Sequence, residues 1–306
     1  MTVRIGTRGS ALALAQARSV AEMLGGAEIV PIRTSGDERP GFGDGSEAPA
    51  ATADKSRFVK EIERALLDGE VDVAVHSAKD LPAELPDGLE IAAVPMREDP
   101  ADAYVGGAQS LDALPLAARV GTSSLRRRSQ LLAVRPDLEL VELRGNVDTR
   151  LRRLAAGEFD GVVVAAAGLL RLDRAGEIAF RFHEDDMIPA PGQGALALQV
   201  RSGDASVREA VAAVGDSGSA AELAAERALV SSLDATCSTP IGARATHGAA
   251  QLTLDAYVGL PDGREWVRDR AAGAGEEATA LGRGVAERLK GAGAVELLAR
   301  AEEVAA

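Results

Sequence analysis

The sequence predicts a mixed α/β protein with two related α/β domains and a smaller C-terminal α+β domain. The main observation is an internal repeat: ERALLDGEVDVAVHSAKDL (63–81) resembles LRRLAAGEFDGVVVAAAGL (151–169). In both copies a helix ends at a Gly-Glu-x-Asp sequence and a continuous apolar strand follows. Continuous apolar strands between helices are typical of a parallel sheet covered on both faces. Chance similarity in an Ala/Val-rich sequence is the alternative explanation.

A second repeat marks the start of each α/β domain. VRIGTRGSALALAQA (3–17) resembles ARVGTSSLRRRSQLLA (118–133), and both predict a strand, a Gly-Thr turn and a helix. Ser10 is a suitable N-cap for a helix over 11–24, and Gly25 is a suitable stop. Because 306 residues exceed one ordinary core, we place the first domain at 1–96 with 190–214 and the second at 97–189.

The remaining residues, 215–306, predict the small α+β domain. A helical pattern over 220–233 precedes two β-rich runs, 252–258 and 265–269, which flank the turn sequence Pro-Asp-Gly at 261–263. Two further helical patterns, over 276–289 and 294–301, end the chain.

One segment fits none of these predicted helices and strands. Residues 36–57 are rich in Gly, Pro, Ala and Asp, and predict either a lid or a flexible loop.

Composition excludes several classes of protein. The net charge of −13 argues against a general nucleic-acid binder, since affinity for nucleic acid depends on neutralising phosphates. The longest apolar run, 161–170, is too short to span a membrane. Charged and polar residues interrupt the first helix, so it does not have the pattern of a signal peptide. With one cysteine and three scattered histidines we expect no metal site, and we expect a cytoplasmic protein.

One region is strongly basic although the chain is acidic. Residues 119–153 hold nine arginines, no lysine and four acidic residues, a net charge of +5. The planar guanidinium of arginine suits bidentate binding of carboxylates or phosphates. We expect Arg152 and Arg153 to lie on a solvated helix face, whereas the whole set indicates a binding site for anions.

The predicted binding residues follow the carboxyl ends of strands, where open α/β sheets bind ligands. Helix N-termini at such turns also favour anions. The candidates in the first domain are Arg8, Ser10, Lys79 and Asp80, and those in the second are Thr122, Ser124, Arg126, Arg127, Arg144, Arg150 and Arg171. Cations from both domains are therefore predicted to face one cleft.

Two residues need a separate explanation. Asp80 is not required for binding an anion, so it either pairs with Lys79 or faces a positive charge that develops during a reaction. Cys237 is the only cysteine and lies in the turn-like sequence ATCSTPIG (235–242). A lone cysteine is either an inert core side chain or a nucleophile, and the residues alone leave both open.

Six segments in this order resemble the porphobilinogen deaminase (hydroxymethylbilane synthase) family. They are IGTRGSALALAQA, HSAKDLP, GTSSLRRRSQLL, LRGNVDTRL, PGQGAL and TCSTPIG, and they extend over nearly the whole chain. The resemblance implies two type II periplasmic-binding-protein-like domains with a cleft between them and a third, small domain. It also implies a monomeric cytosolic enzyme of tetrapyrrole synthesis that joins four porphobilinogen molecules head to tail, loses four ammonia molecules and releases hydroxymethylbilane.

The resemblance assigns roles to the candidate residues. Cys237 would carry the cofactor, a covalent dipyrromethane, through a thioether, and Asp80 would be the catalytic carboxylate that faces pyrrole N–H groups and a developing cation. The acetate and propionate groups of the cofactor would be held by Lys79, Thr122, Ser124, Arg126, Arg127 and Arg150. The incoming porphobilinogen would be bound by Arg8, Ser10, Arg144 and Arg171.

This chain departs from the family pattern at two places. Lys55-Ser56-Arg57-Phe58 stands where the family often has Lys-Gly-Leu-Phe, and Ala235-Thr236 precedes the cysteine where many members have Gly-Gly. Two other functions compete with the enzyme: a two-domain anion-binding protein without catalysis, and a nucleic-acid binder that uses residues 125–128. The first requires neither Asp80 nor Cys237, and the second would need aromatic stacking residues, which make up only 3% of the chain.

Overall fold

The structure, a computed structural model, describes residues 2–32, 55–235, 239–248 and 251–305, with the backbone alone at 55–58 and 304–305. In chain order the strands are β1 (Arg4–Arg8), β2 (Glu28–Ile32), β3 (Val73–Ser77), β4 (Leu89–Ala93), β5 (Asp102–Gly106), β6 (Arg119–Gly121), β7 (Glu139–Val141), β8 (Gly161–Ala165), β9 (Phe180–Arg181), β10 (Leu196–Arg201), β11 (Ile241–His247), β12 (Leu252–Gly259) and β13 (Trp266–Gly273). The helices are α1 (Ala11–Met23), α2 (Lys55–Leu67), α3 (Leu125–Val134), α4 (Val147–Ala155), α5 (Ala166–Leu170), α6 (Ala205–Ala212), α7 (Ser217–Ser232), α8 (Ala278–Gly291) and α9 (Ala294–Ala305).

The first of two compact units comprises Met1–Pro95 and Leu196–Asp216. Its sheet has the order β2-β1-β3-β10-β4, in which β1 is parallel to β2 and β3 while β10 is antiparallel to β3 and β4. Val20 of α1 and Val207 of α6 pack on one face, and Ile62 and Leu66 of α2 pack on the other. Both faces are therefore covered, as the apolar strands predict.

Local sequence determines where the first helix begins and ends. The hydroxyl of Ser10 accepts a hydrogen bond from the amide of Ala13 at 3.3 Å and so caps α1, as predicted. Gly25 follows the helix with φ at +74°, a conformation that residues with a Cβ rarely adopt.

The second unit comprises Met96–Ala195 and Ser217–Ala306 and contains two sheets. One has the order β7-β6-β8-β5-β9, with β6 parallel to β7 and β8, and β5 antiparallel to β8. Its strands occupy the same relative positions as those of the first sheet, so the predicted repeat is visible in the fold. Both sheets are mixed rather than wholly parallel. The apolar pattern could not predict this, because burial on both faces does not depend on strand direction.

The other sheet of the second unit is an antiparallel meander, β11-β12-β13. Leu229 of α7, Val285 of α8 and Leu298 of α9 cover one of its faces. The predicted hairpin joins β12 to β13, and the mixed α/β class with a small C-terminal α+β part is confirmed. The sequence analysis did not predict β11, whose first three residues are all buried; buried residues alternate with exposed or half-buried ones only from Ala243 to Thr246. The exact three-domain boundaries stay a prediction.

Candidate active site

A pocket in the first unit lies beyond the ends of β1 and β3. It is lined by Thr7, Arg8, Ser10, Leu12, Ala13, Gln16, Val59, Ile62, Val75, His76, Ser77 and Asp80. Three of the predicted site residues, Arg8, Ser10 and Asp80, therefore lie together around one pocket. The pocket combines a guanidinium, a carboxylate and hydroxyl groups with an apolar wall, a set that suits a ligand with acidic substituents and N–H donors.

Asp80 is held at the pocket by the way in which β3 ends. The strand stops at Ser77, and a 3₁₀ turn over Ala78–Asp80 follows directly. The side-chain amide of Gln16 donates to the Ser77 hydroxyl at 2.8 Å, and the Ser77 hydroxyl lies 3.2 Å from Oε1 of the same amide. These contacts fix the end of β3 against α1. Lys79 and Asp80 are both half-buried in the turn.

His76 is a buried member of the pocket that the sequence analysis set aside. Its Nε2 lies 3.0 Å from Oε1 of Gln199, and Nε2 of Gln199 donates to Oε1 of Glu63 at 3.0 Å. Burial lowers the pKa of His76 to about 4, against the opposing effects of the Gln199 hydrogen bond and the negative charge of Asp80. The sequence signal for this network was a polar Gln199 inside an otherwise apolar strand.

In the second unit, the turn between β6 and α3 contains two predicted residues. The Ser124 hydroxyl accepts from the amide of Arg127 at 3.4 Å and caps α3, while the Ser124 amide donates to the Thr122 hydroxyl at 3.2 Å. Thr122 is buried and Ser124 is half-buried. The helix N-terminus expected at this turn is present.

Arg126 and Arg127 lie inside the second unit rather than on its surface. Arg126 donates to both carboxylate oxygens of Asp102, at 2.7 and 3.2 Å, and to the carbonyl of Ile188 at 2.8 Å. Arg127 donates to Asp102 at 2.8 Å through Nε and to the carbonyl of Val163 at 2.8 Å. Burial would raise the pKa of Asp102, but the two guanidinium groups outweigh it and hold that pKa well below its usual range. Asp102 was missed because an acid in an apolar strand gives no periodic signal.

The other three predicted arginines have different surroundings. Arg144 is exposed and its Nε lies 2.6 Å from Glu142. Arg150 is half-buried and donates to the carbonyl of Gly145 at 3.0 Å. Arg171 donates to the carbonyl of Gly194 at 2.7 Å, and burial lowers its pKa to about 10 although Glu98 acts in the opposite direction.

Two predictions fall on residues that the structure does not describe. Cys237 lies outside the described residues, as does almost all of the segment 36–57, and the side chain of Arg57 is not described. Over the described part of the chain, no cluster of His, Cys, Asp or Glu could hold a metal ion, and no helix is long and apolar enough to cross a membrane.

The fold and these residues define a class: a mixed α/β protein with cations and hydroxyls at its strand-to-helix turns and a carboxylate in a pocket. Comparison with known families is more specific. Residues 3–209 match the model described as "Porphobilinogen deaminase, dipyromethane cofactor binding domain", and residues 220–291 match the C-terminal domain of porphobilinogen deaminase. The chain belongs to the porphobilinogen deaminase family.

The chain is similar to individual relatives over nearly its full length and theirs. The chain is 46% identical to a porphobilinogen deaminase of Syntrophus aciditrophicus, over 98% of this chain and 99% of the relative. It is 46% identical to that of Thermus thermophilus, over 97% and 98%, and 47% identical to that of Rubrobacter xylanophilus, over 96% and 95%.

Similar solved structures include chains from two bacterial proteins. One is the VFT2 domain of Bordetella pertussis BvgS, with 16% identity, 70% of this chain and 86% of that chain covered, and a TM-score of 0.38. The other is a Salmonella typhimurium periplasmic binding protein with high arginine specificity, with 15% identity, 72% and 93% covered, and a TM-score of 0.38.

A first prediction separates structural arginines from exposed ones. Arg127→Leu is expected to lower the free energy of unfolding by about 3 kcal/mol, because it removes one of the two cations that pair with the buried Asp102. The matched change Arg152→Leu, at an exposed arginine of α4, is expected to cost less than about 1 kcal/mol. Urea titrations measure the loss in free energy of unfolding for each of the two variants. Equal losses would show that Arg127 has no special structural role.

A second prediction concerns acid stability. The usual pKa of His76 is 6.5 and the folded value is about 4, so between these pH values the unfolded chain binds a proton that the folded protein does not. His76 therefore does not lower the free energy of unfolding above about pH 6.5. As the pH falls towards 4, it lowers the free energy of unfolding by about 3 kcal/mol in total. Urea titrations at several pH values should show this loss, and His76→Gln should remove it. An identical pH dependence in both proteins would contradict the assignment.

Proposed function

We propose that this protein polymerises four porphobilinogen molecules head to tail, with loss of four ammonia molecules, and releases linear hydroxymethylbilane by hydrolysis. The primer is a dipyrromethane attached to Cys237, and the pathway is tetrapyrrole biosynthesis. The observation that carries this proposal is the pocket with Asp80 and Arg8, which lies within the residues that match the cofactor-binding domain of the family.

The residues of the pocket fit a dipyrromethane and its substrate. Each pyrrole ring offers one N–H donor and two carboxylates, and the pocket provides a carboxylate to accept the N–H and a guanidinium to meet an acid group. When bound, the dipyrromethane supplies the chain end to which the next ring is joined. Cys237 suits permanent attachment, since a thiolate is a strong nucleophile and a thioether persists through turnover.

Asp80 is the proposed catalytic residue. Loss of ammonia from porphobilinogen leaves positive charge on the ring, and a half-buried carboxylate stabilises such charge more strongly than water does. A carboxylate oxygen can also take up and return a proton as ammonia departs and the new bond forms. The turn over Ala78–Asp80 keeps this group at the end of β3, beside the pocket.

The predicted binding residues divide into three groups. We propose that Lys79, Thr122, Ser124 and Arg150 bind the acid groups of the cofactor directly, and that Arg8, Ser10, Arg144 and Arg171 bind the incoming ring. Arg126 and Arg127 contribute chiefly a positive field, because together they exceed the charge of Asp102 by one unit. Nε of Arg126 is buried and has no hydrogen-bond partner among the described residues.

The family resemblance also supports a monomer that acts in the cytoplasm, with porphobilinogen as its small-molecule partner. The proposed polymerisation of porphobilinogen involves neither nucleic acid nor a membrane. Light scattering during size-exclusion chromatography measures the oligomeric state, and a stable dimer would contradict this part of the proposal.

The proposal predicts a specific loss of turnover. Asp80→Ala and Asp80→Asn are each expected to lower the rate of hydroxymethylbilane formation by roughly 100-fold or more, because the developing charge loses its carboxylate. Circular dichroism and cofactor content should stay as in the unmodified protein. Asp68→Asn, at an exposed acid that pairs with Arg64, is the matched control and should keep its activity. A rate for Asp80→Ala within about threefold of normal would remove Asp80 from the mechanism.

A further inference from the structure

A chain of three buried polar side chains runs from helix α2 through strand β10 to strand β3. Glu63, Gln199 and His76 are 3%, 0% and 5% exposed. Nε2 of Gln199 donates to the Glu63 carboxylate at 3.0 Å, and Oε1 of Gln199 lies 3.0 Å from Nε2 of His76. Among the described residues, the contact with Gln199 is the only hydrogen bond of the His76 ring.

The order of these groups determines where the His76 proton resides. A carboxylate only accepts hydrogen bonds, so Glu63 orients the NH₂ group of Gln199 towards itself. The carbonyl oxygen of Gln199 then faces His76, and this oxygen also only accepts. Nε2 of His76 must therefore carry a proton, and in the uncharged ring Nδ1 is then the acceptor.

The charged groups around His76 come from three elements. Arg8 lies at the end of β1, Glu63 lies on α2, and Asp80 lies in the turn after β3; His76 lines the same pocket as Arg8 and Asp80. The neighbouring helix α1 contributes the uncharged amide of Gln16 to this pocket, and β10 contributes the uncharged amide of Gln199 to the His76 ring.

We propose that Glu63 and Gln199 fix the proton of His76 on Nε2, and that burial keeps the ring uncharged, so that no positive charge at position 76 competes with the substrate for Asp80. This inference rests on the proposed function. A substrate that becomes cationic as ammonia leaves is repelled by an imidazolium in the pocket wall, and an imidazolium also offsets the charge of Asp80. The low pKa of His76, which follows from its burial, agrees with an uncharged ring.

The test is a double variant that exchanges the carboxylate and the amide. Glu63→Gln combined with Gln199→Glu keeps the composition and net charge but places the carboxylate directly beside His76. An adjacent carboxylate favours the imidazolium and raises the pKa of His76. We expect kcat at pH 7 to fall about tenfold or more, with KM within about threefold. The lost rate should return as the pH rises through the new pKa. Normal kcat in a protein whose His76 is charged would overturn the proposal.

A triple variant distinguishes charge from structural damage. Adding His76→Gln to the exchanged pair removes the group that could become charged, while the new amide can still donate to the carboxylate at position 199. We expect kcat to return to the level of His76→Gln alone, within about threefold. Loss that persists in the triple variant would mean that the exchange damages packing and that His76 charge is not the cause.

Nitrogen NMR of ¹⁵N-histidine-labelled protein tests the tautomer without any activity measurement. The chain has three histidines, so the His76 signals are identified by their absence in His76→Gln. We expect His76 to stay neutral with its proton on Nε2 between about pH 5.5 and 8. A protonated ring or a proton on Nδ1 would overturn the inference, even if the exchanged variant does not fold. A wild-type protein that forms no hydroxymethylbilane would instead overturn the proposed function.

Discussion

Asp102 carries a buried negative charge at the start of β5, and the second α/β sheet depends on how that charge is paired. Arg126, Arg127 and the amide of Gln193 all donate to it, the last at 3.1 Å. Through these contacts one carboxylate joins β5 to helix α3 and to the segment that leads towards β10. Removing Asp102 would leave two buried guanidinium groups without their carboxylate, and breaking a buried pair in this way typically costs about 3–5 kcal/mol. The orientation of α3, and of the turn at its N-terminus, follows from this arrangement.

In the first unit, uncharged side-chain amides rather than arginines hold the polar residues beside the pocket. A carboxylate that stabilises a developing cation is most effective when nearby groups do not compete with the substrate for its charge. The side-chain amides of Gln16 and Gln199 contact the end of β3 without adding charge, Gln16 through Ser77 and Gln199 through His76. Buried arginines thus organise the second unit around Asp102, whereas amides contact the strand that leads to the proposed catalytic carboxylate of the first unit.

Local and periodic features of the fold could be predicted from the sequence, and contacts between distant residues could not. The cap at Ser10, the hairpin around residues 261–263 and the repeated strand–turn–helix units were correct because each depends on a few adjacent residues. The roles of Asp102 and His76 were missed because their partners lie 24 to 123 residues away in sequence. A polar residue in an apolar strand shows that a partner must exist, since burial without one is costly, but it does not identify the partner.

The proposed attachment of a dipyrromethane to Cys237 can be tested by measuring the intact mass of the denatured protein. We expect a mass increase equal to two porphobilinogen units less their ammonia, and we expect it to be absent from Cys237→Ala. An unmodified protein that gains this mass on incubation with porphobilinogen or hydroxymethylbilane would agree with the account, since it would be the apo form. A protein that stays unmodified after both treatments would contradict it and favour a non-catalytic anion-binding protein.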